Sequence, residues 1–187
     1  HEAGLLKRFY TSICFTPEIQ NKLPWPVRRR LQRRTISSVP ADKVWTFPYC
    51  EIYWRLARLL FTQKWGIASL YYSLWTFDHL AARILEADSP RIVIGFENSS
   101  LALFREAKRL GALCVLDAAS VHFDFQRQKS NTPYESLQRR IDSRKRDEIS
   151  LADKIVVLST LAKQTYIEAG VPPDKLVVIA PGADIAF

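Results

Sequence analysis

Short apolar runs alternate with helical segments through the second half of the chain. Four runs have no charge in their interior: Arg91–Gly95, Ala112–Asp117, Lys154–Leu158 and Leu176–Ala180. Runs of this length are typical of strands that are buried on both faces of a parallel sheet. Helical patterns over about 99–110, 133–151 and 160–169 lie between them. The alternation predicts βαβ units and an α/β fold, with a Rossmann-like parallel sheet and helices on both faces.

The first half of the chain has a weaker pattern. It predicts strands over 9–15 and 44–48, and a helix over 17–34 that is interrupted near its two prolines. Residues 49–87 are mostly helical in pattern and rich in aromatics, with a joint expected near Gly66. The sequence therefore predicts six strands. It shows no internal repeat and no interdomain linker before residue 181.

Composition narrows the class of protein. Apolar residues make up 48% of the chain and charged residues 25%, which is typical of a soluble globular domain and excludes a disordered tail or a disulfide miniprotein. The longest charge-free aromatic stretch, Trp65–Phe77, is 13 residues long, whereas a bilayer-spanning helix needs about 20. Cys14, Cys50 and Cys114 have no metal-type spacing, so we expect reduced thiols, no metal and a cytoplasmic protein.

Positive charge is concentrated near the start of the chain. The net charge is +8, and residues 1–34 hold eight basic and two acidic residues. A basic patch of this kind favours phosphates, whether of nucleic acid, anionic lipid or a phosphorylated substrate. A solvated basic helix is the alternative. The candidate contact residues are Arg28, Arg29, Arg30, Arg33 and Arg34.

In open α/β sheets, ligands bind beyond the carboxyl ends of the strands. Four segments follow strands here: 96–100, 117–122, 159–160 and 181–184. Helix N-termini at such places attract anions.

His122 is the main candidate at these strand ends, because a histidine there can transfer a proton or donate to a hydroxyl. The alternative is a loop histidine with a backbone partner. Glu97 could bind a hydroxyl or an amine, and Asn98 could bind a ligand or simply cap the next helix. The charged helix over 133–151 is interpreted as a surface helix with a thin apolar stripe.

Several separated motifs occur together and in a fixed order. They are Glu148-x3-Ala152-Asp153 with the following strand and Ser159, Tyr166-x2-Ala-Gly170-Val171-Pro172, and Pro181-Gly182-x-Asp184. A further stretch reads Asp117-Ala-Ala-Ser120-Val-His122 and continues to Gln126. Together they resemble the N-terminal domain of glycosyltransferase family 4, in particular of bacterial members that build surface polysaccharides. Those members often have Arg-Gly where this chain has Ala118-Ala119.

The resemblance implies one half of a GT-B fold, in which two Rossmann-like domains face a cleft. Residues 1–181 would be the acceptor-side domain without its first strand, and 182–187 would begin the passage to a donor-binding domain that is absent here. The implied reaction moves a sugar, with retention, from a nucleotide-sugar donor to a glycan or lipid-linked acceptor, without a bound cofactor or a metal. On its own the fragment is expected to be inactive.

The resemblance also assigns roles to residues. His122 would bind the donor sugar or its transition state, and the residues that orient acceptor hydroxyls would be Glu97, Asn98, Ser120 and Gln126. The basic stretch 22–34 would lie on an anionic membrane at the inner face of the cell. The rival function is a non-enzymatic Rossmann-like module that binds nucleic acid through 22–34, although arginines 28–34 lack the interleaved aromatics that stack on bases.

Overall fold

The chain forms an α/β structure in which parallel sheets are flanked by helices, as expected. The computed structural model describes residues 4–14, 25, 39–60, 63–128 and 134–180. It divides into two compact units, residues 1–77 and 78–187. The helix predicted over 17–34 and the five candidate arginines within it lie outside the described residues, and so do residues 181–187.

The first unit contains a parallel pair of short strands, β1 (Phe9–Thr11) and β2 (Val44–Thr46). Two helices follow, α1 (Pro48–Leu60) and α2 (Gln63–Asp88), and the last part of α2 belongs to the second unit. The helical region is divided as predicted: α1 ends at Leu60 and α2 begins at Gln63, three residues before Gly66, which itself lies inside α2. A single glycine costs a helix about 1 kcal/mol, and packing of the surrounding turns overrides a cost of that size.

The second unit is built on a four-stranded sheet in the order β3-β4-β5-β6, with every neighbouring pair parallel. The strands are Ile92–Phe96, Leu113–Ala118, Lys154–Val157 and Leu176–Val178. The prediction that these four segments are parallel neighbours in one sheet is therefore confirmed. All six predicted strands are present, each within a few residues of its expected position.

Four helices connect and flank the strands of this sheet. They are α3 (Leu101–Arg109), α4 (Phe123–Gln128), α5 (Glu135–Leu151) and α6 (Thr160–Glu168). Three of them were predicted. The short helix α4 was not, because its six residues carry too few apolar positions to show a helical period.

Burial of the sheet is one-sided in the described residues. Cys114, Leu116 and Ile155 on one face are fully buried, whereas Ile94 and Phe96 on the other face are more than half exposed. The expectation that the strands are buried on both faces is wrong here. Successive strands are spatial neighbours in chain order. With the right-handed crossovers that are usual for parallel strands, such an order places the connecting helices on one face, which accounts for the one-sided burial.

Gly95 lets α3 lie against β3. A Cβ at this position would be 2.2 Å from Ser100 Oγ and 2.8 Å from Phe104 Cε1, so only glycine fits. The close approach tightens the turn 97–100 at the carboxyl end of β3.

Candidate functional site

Two buried carboxylates occupy the turn after β3 and the start of α3. Asp78 accepts hydrogen bonds from the backbone N–H groups of Ala102 and Leu103, both at 2.8 Å. Glu148 accepts from Asn98 N–H at 2.8 Å and Ser100 N–H at 3.0 Å. These amides are therefore taken by the protein itself. The expectation that this helix N-terminus binds an external anion, and the alternative that Asn98 caps the helix, are both wrong.

Arg144 links the two carboxylates. Its guanidinium pairs with Asp78, and its Nε lies 3.6 Å from Glu148 Oε1. Glu148 is fully buried, and burial raises the pKa of its carboxyl from 4.5 to about 7 despite two backbone hydrogen bonds and Arg144, which act in the opposite direction. A carboxyl in that range changes its protonation near neutral pH.

Glu97 lies in the turn that follows β3, and both of its carboxylate oxygens have partners. Ser120 Oγ donates to Oε2 at 2.8 Å, and Lys145 Nζ lies 3.1 Å from Oε1 as an ion pair. The backbone N–H of Glu97 donates to the carbonyl of Asp117 at 3.2 Å, which ties this turn to the end of β4. The structure thus brings Glu97 and Ser120 together, as the two strand ends suggested.

His122 stands directly before α4 and acts as its N-cap. Its carbonyl accepts from Gln126 N–H at 3.1 Å, and its Nδ1 accepts from Asp124 N–H at 3.3 Å. The backbone N–H of His122 donates to Thr165 Oγ1 at 3.0 Å. Because Nδ1 is an acceptor, the neutral ring carries its proton on Nε2. Burial lowers the pKa of His122, while the nearby carboxylates Asp124 and Glu97 act against that shift.

The sequence led us to expect that the ring of His122 faces open space beyond the strand ends. In the structure it does not. Only 6% of its side chain is exposed. The imidazole packs on Phe123 with ring centres 4.2 Å apart and meets Tyr166 edge-on at 5.0 Å. The ring is buried because His122 caps α4. Its Nδ1 is held against the first turn of that helix, and its backbone N–H is bonded to Thr165 of α6.

Asn98 and Gln126 have different surroundings. Asn98 adopts a left-handed backbone conformation, with φ of 71°, and its buried Oδ1 has no hydrogen-bond partner in the structure. Gln126 Nε2 donates to the carbonyl of Val121 at 2.7 Å, so its amide closes the loop in front of α4. Asn98 therefore has a free acceptor at the site, whereas the Gln126 amide is bonded within its own loop.

Two further residues belong to this cluster and were not expected from the sequence. Lys145 projects from α5, which was interpreted as a surface helix, yet its side chain is buried against Glu97. Tyr166 of α6 is fully buried, its hydroxyl has no hydrogen-bond partner, and burial raises its pKa well above the usual range. A signal existed for Lys145, because it follows the apolar-stripe residue Ile141 at four-residue helical spacing.

Within the described residues, no group of three or more His, Cys, Asp or Glu side chains is placed to hold a metal ion. Cys14, Cys50 and Cys114 form no disulfide bond with one another. Burial raises the pKa of the Cys114 thiol to about 11, so this thiol is inert at neutral pH. In the same part of the chain, no helix is both long and apolar enough to cross a membrane.

Residues 55–187 match Glycosyltransferase Family 4, and no curated protein matches. Among solved structures, the chain is similar to a 2.2 Å crystal structure from Listeria monocytogenes, assigned as a UDP-N-acetylglucosamine 2-epimerase. That similarity has 14% identity and a TM-score of 0.41, and covers 59% of this chain and 27% of the other. The family match spans most of the chain, so the chain belongs to glycosyltransferase family 4.

Proposed function

We propose that this chain is the acceptor-side domain of a retaining glycosyltransferase. It moves a sugar, of hexosyl type, from a nucleotide-sugar donor to a glycan or lipid-linked acceptor. Family membership supports glycosyl transfer in general. The observation that carries the finer proposal is the cluster of Glu97, Ser120 and Lys145 at the carboxyl ends of β3 and β4, with His122 near enough to interact electrostatically with Glu97 and Lys145. This is the edge at which α/β sheets bind ligands.

Glu97 is proposed to hold an acceptor hydroxyl. An ionised carboxylate offers about four acceptor positions. Ser120 takes one of them on Oε2, and Oε1 faces Lys145 as an ion pair without a hydrogen-bond partner. A hydroxyl of the acceptor can therefore donate to Glu97 without displacing either partner. Lys145 Nζ, 3.1 Å from Oε1, balances the charge of the buried carboxylate.

His122 is proposed to act on the donor side of the reaction. A retaining transfer develops positive charge on the sugar and negative charge on the leaving diphosphate, and the protein must orient the reactants and stabilise that separation. With Nδ1 engaged by Asp124 N–H, the Nε2–H is the donor that the neutral ring offers to a sugar hydroxyl or a phosphate oxygen.

Two unpartnered polar atoms support a polar ligand nearby. Asn98 Oδ1 and the hydroxyl of Tyr166 are buried without a hydrogen-bond partner. Leaving such a group unpaired costs about 1–3 kcal/mol, and a hydroxyl-rich ligand or an ordered water would recover that cost. Asn98 would then orient an acceptor hydroxyl together with Ser120. Gln126, which bonds to Val121, would shape the loop around His122.

The experiment that tests this proposal is a donor screen with a full-length protein that contains this chain. Release of nucleoside diphosphate is measured for a panel of nucleotide sugars, with a chelator added to one series. We expect release from at least one nucleotide sugar, unaffected by the chelator. Glu97→Gln should reduce turnover by about 10²-fold, the usual scale for a positioned acid–base or hydrogen-bonding group. Turnover is measured per folded protein, with an unfolding curve alongside, because this variant leaves Lys145 without its partner. Lack of release from every donor would reject the transferase proposal.

Residues 22–34 are proposed to contact the anionic surface of a membrane that bears the acceptor, and the chain to work in the cytoplasm. Charge supports this: residues 1–77 hold twelve basic and four acidic residues, whereas 78–187 hold fifteen of each. The same excess would suit nucleic acid, which is the rival function. Tight, salt-sensitive binding to duplex DNA, with no binding to anionic vesicles, would favour the rival.

A further inference from the structure

Helix α1 of the first unit exposes a continuous apolar face. Its exposed apolar side chains are Tyr49, Ile52, Tyr53, Leu56, Leu59 and Leu60, with exposures from 50% to 80%. Their spacing of three and four residues is that of one side of a helix. A soluble helix normally turns such a stripe toward the core. Here the buried residues of α1 include Cys50 and Ala57, which lie on a different side.

The angular positions make this separation explicit. At about 100° per residue, the six exposed apolar positions fall within an arc of roughly 120°. The buried residues Cys50 and Ala57 and the half-buried Trp54 fall in a second arc. Glu51, Arg55 and Arg58 occupy the sector beyond it, and Arg55 pairs with Glu51 at 2.7 Å. The helix thus has a packed side, a charged side on which Glu51 is also buried, and an exposed apolar side where Tyr49 meets the ring of Phe47 edge-on.

The charge of the unit favours one kind of partner for that apolar face. Residues 1–77 carry the whole net charge of the chain, +8, and residues 78–187 are neutral overall. An apolar helix face on a strongly basic unit suits an anionic bilayer, because basic residues near its surface each contribute about 1 kcal/mol. A second copy of the same unit would instead be repelled by an equal positive charge.

The dimensions and composition of α1 agree with this partner. Its 13 residues make a helix about 20 Å long, too short to cross a hydrocarbon core of about 30 Å. A helix of this kind lies in the plane of the interface. Its tyrosines are amphipathic residues that are enriched at this depth.

We propose that the apolar face of α1 inserts into the surface of an anionic lipid bilayer and so anchors this unit to the membrane. The face is distinct from residues 22–34, and the proposal does not depend on sugar transfer, because binding is measured without donor or acceptor. The basic residues supply attraction at a distance, and the α1 face supplies the apolar contact that remains when salt screens the charges.

The test is sedimentation of the chain with vesicles of phosphatidylcholine alone, or of phosphatidylcholine with a third of phosphatidylglycerol. We expect binding to the anionic vesicles at least tenfold tighter than to the neutral ones. The triple variant Ile52→Ser/Leu56→Ser/Leu59→Ser should lose at least tenfold in affinity for the anionic vesicles, about the effect of one apolar side chain that is no longer buried. The matched control is Leu161→Ser, which changes an exposed leucine on α6 of the second unit and should bind like the wild type.

A second readout separates insertion from adsorption. Lipids brominated in their acyl chains should quench the tryptophan emission of the wild type but not of the triple variant. Leu59→Glu, at an exposed position where folding is not at risk, should also weaken binding. Equal binding by the wild type and the triple variant, absence of binding, or loss of a dimer in the triple variant with unchanged vesicle binding would each overturn the proposal. The last outcome would assign the face to a second copy.

Discussion

Lys145 and Glu97 form a buried ion pair that joins the middle of α5 to the turn after β3. The atoms Nζ and Oε1 are 3.1 Å apart, and 8% of each side chain is exposed. Since each charge compensates the other in a place that water barely reaches, neither residue can be removed alone without leaving a buried charge unpaired.

Lys145→Met should therefore destabilise the chain by about 3–5 kcal/mol, the usual cost of breaking one side of a buried pair. The measurement is chemical denaturation followed by circular dichroism. The double variant Lys145→Met/Glu97→Gln should recover part of the loss, because it leaves no buried charge.

The matched control is Arg139→Met on the same helix. Arg139 pairs with Glu135 at the surface, where both side chains are more than half exposed. An exposed pair contributes about 0–1 kcal/mol, so this change should have little effect. If Lys145→Met lowered the free energy of unfolding no more than Arg139→Met does, the buried pair would contribute no more to stability than a surface pair, and the prediction would be wrong.

Two glycines should respond to alanine with opposite signs. Gly95→Ala should destabilise by about 1–3 kcal/mol or more, because its Cβ would overlap Ser100 and Phe104. Gly66→Ala meets nothing nearer than 3.6 Å and lies inside α2, so it should stabilise by about 0.5–1 kcal/mol. Thermal unfolding should show a lower melting temperature than the wild type for Gly95→Ala and a higher one for Gly66→Ala. A neutral Gly95→Ala would mean that α3 is not held this close to β3.

The protonation of His122 should be visible in the pH dependence of stability. Burial lowers its pKa below the ordinary value of 6.5, so the unfolded chain binds the proton more readily. The stability that His122 contributes is then complete above about pH 6.5 and is lost as the pH falls through its folded pKa. The slope is at most about 1.4 kcal/mol per pH unit.

Glu148 acts in the opposite direction, since its raised pKa gives stability at low pH that is lost as the pH rises through about 7. The His122 contribution is therefore isolated by comparing the wild type with His122→Asn, and by following the imidazole in NMR spectra. A His122 that titrates at or above 6.5 would contradict the prediction.

Much of this fold is predictable from sequence because buried parallel strands have short, charge-free runs of a kind that few other elements share. The four strands of the main sheet begin at Ile92, Leu113, Lys154 and Leu176, each inside one of the predicted apolar runs. One-sided burial is not predictable in this way, because an apolar run has the same composition whether one face or both are covered.

The candidate site is only partly predictable, for a different physical reason. Strand ends identify Glu97, Asn98, Ser120 and His122, since chain order alone brings the turns after β3 and β4 together. Lys145 and Tyr166 enter from helices, and which helical residue reaches a strand end depends on packing that no local pattern records. The role of His122 as the N-cap of α4 escaped for the same reason.

His122 is the N-cap of α4, and its imidazole is also proposed to act in sugar transfer. A single variant can separate these two roles, and the account depends on the role in transfer. Asparagine is a good N-cap residue, so His122→Asn keeps an acceptor for Asp124 N–H but removes the imidazole. His79→Ala, which changes an exposed histidine of α2, serves as the control for loss of a histidine elsewhere.

The decisive measurement is sugar transfer by the full-length protein carrying His122→Asn, made alongside its unfolding curve. The account predicts that turnover falls by about 10²-fold or more, the scale of a lost acid–base or charge-stabilising group. It also predicts that the variant still folds, because the cap is retained, at a cost of about 1–3 kcal/mol for the buried ring that is removed from Phe123 and Tyr166. His79→Ala should transfer sugar normally. A His122→Asn protein with unchanged turnover would show that His122 only caps α4, and the proposed site would be wrong.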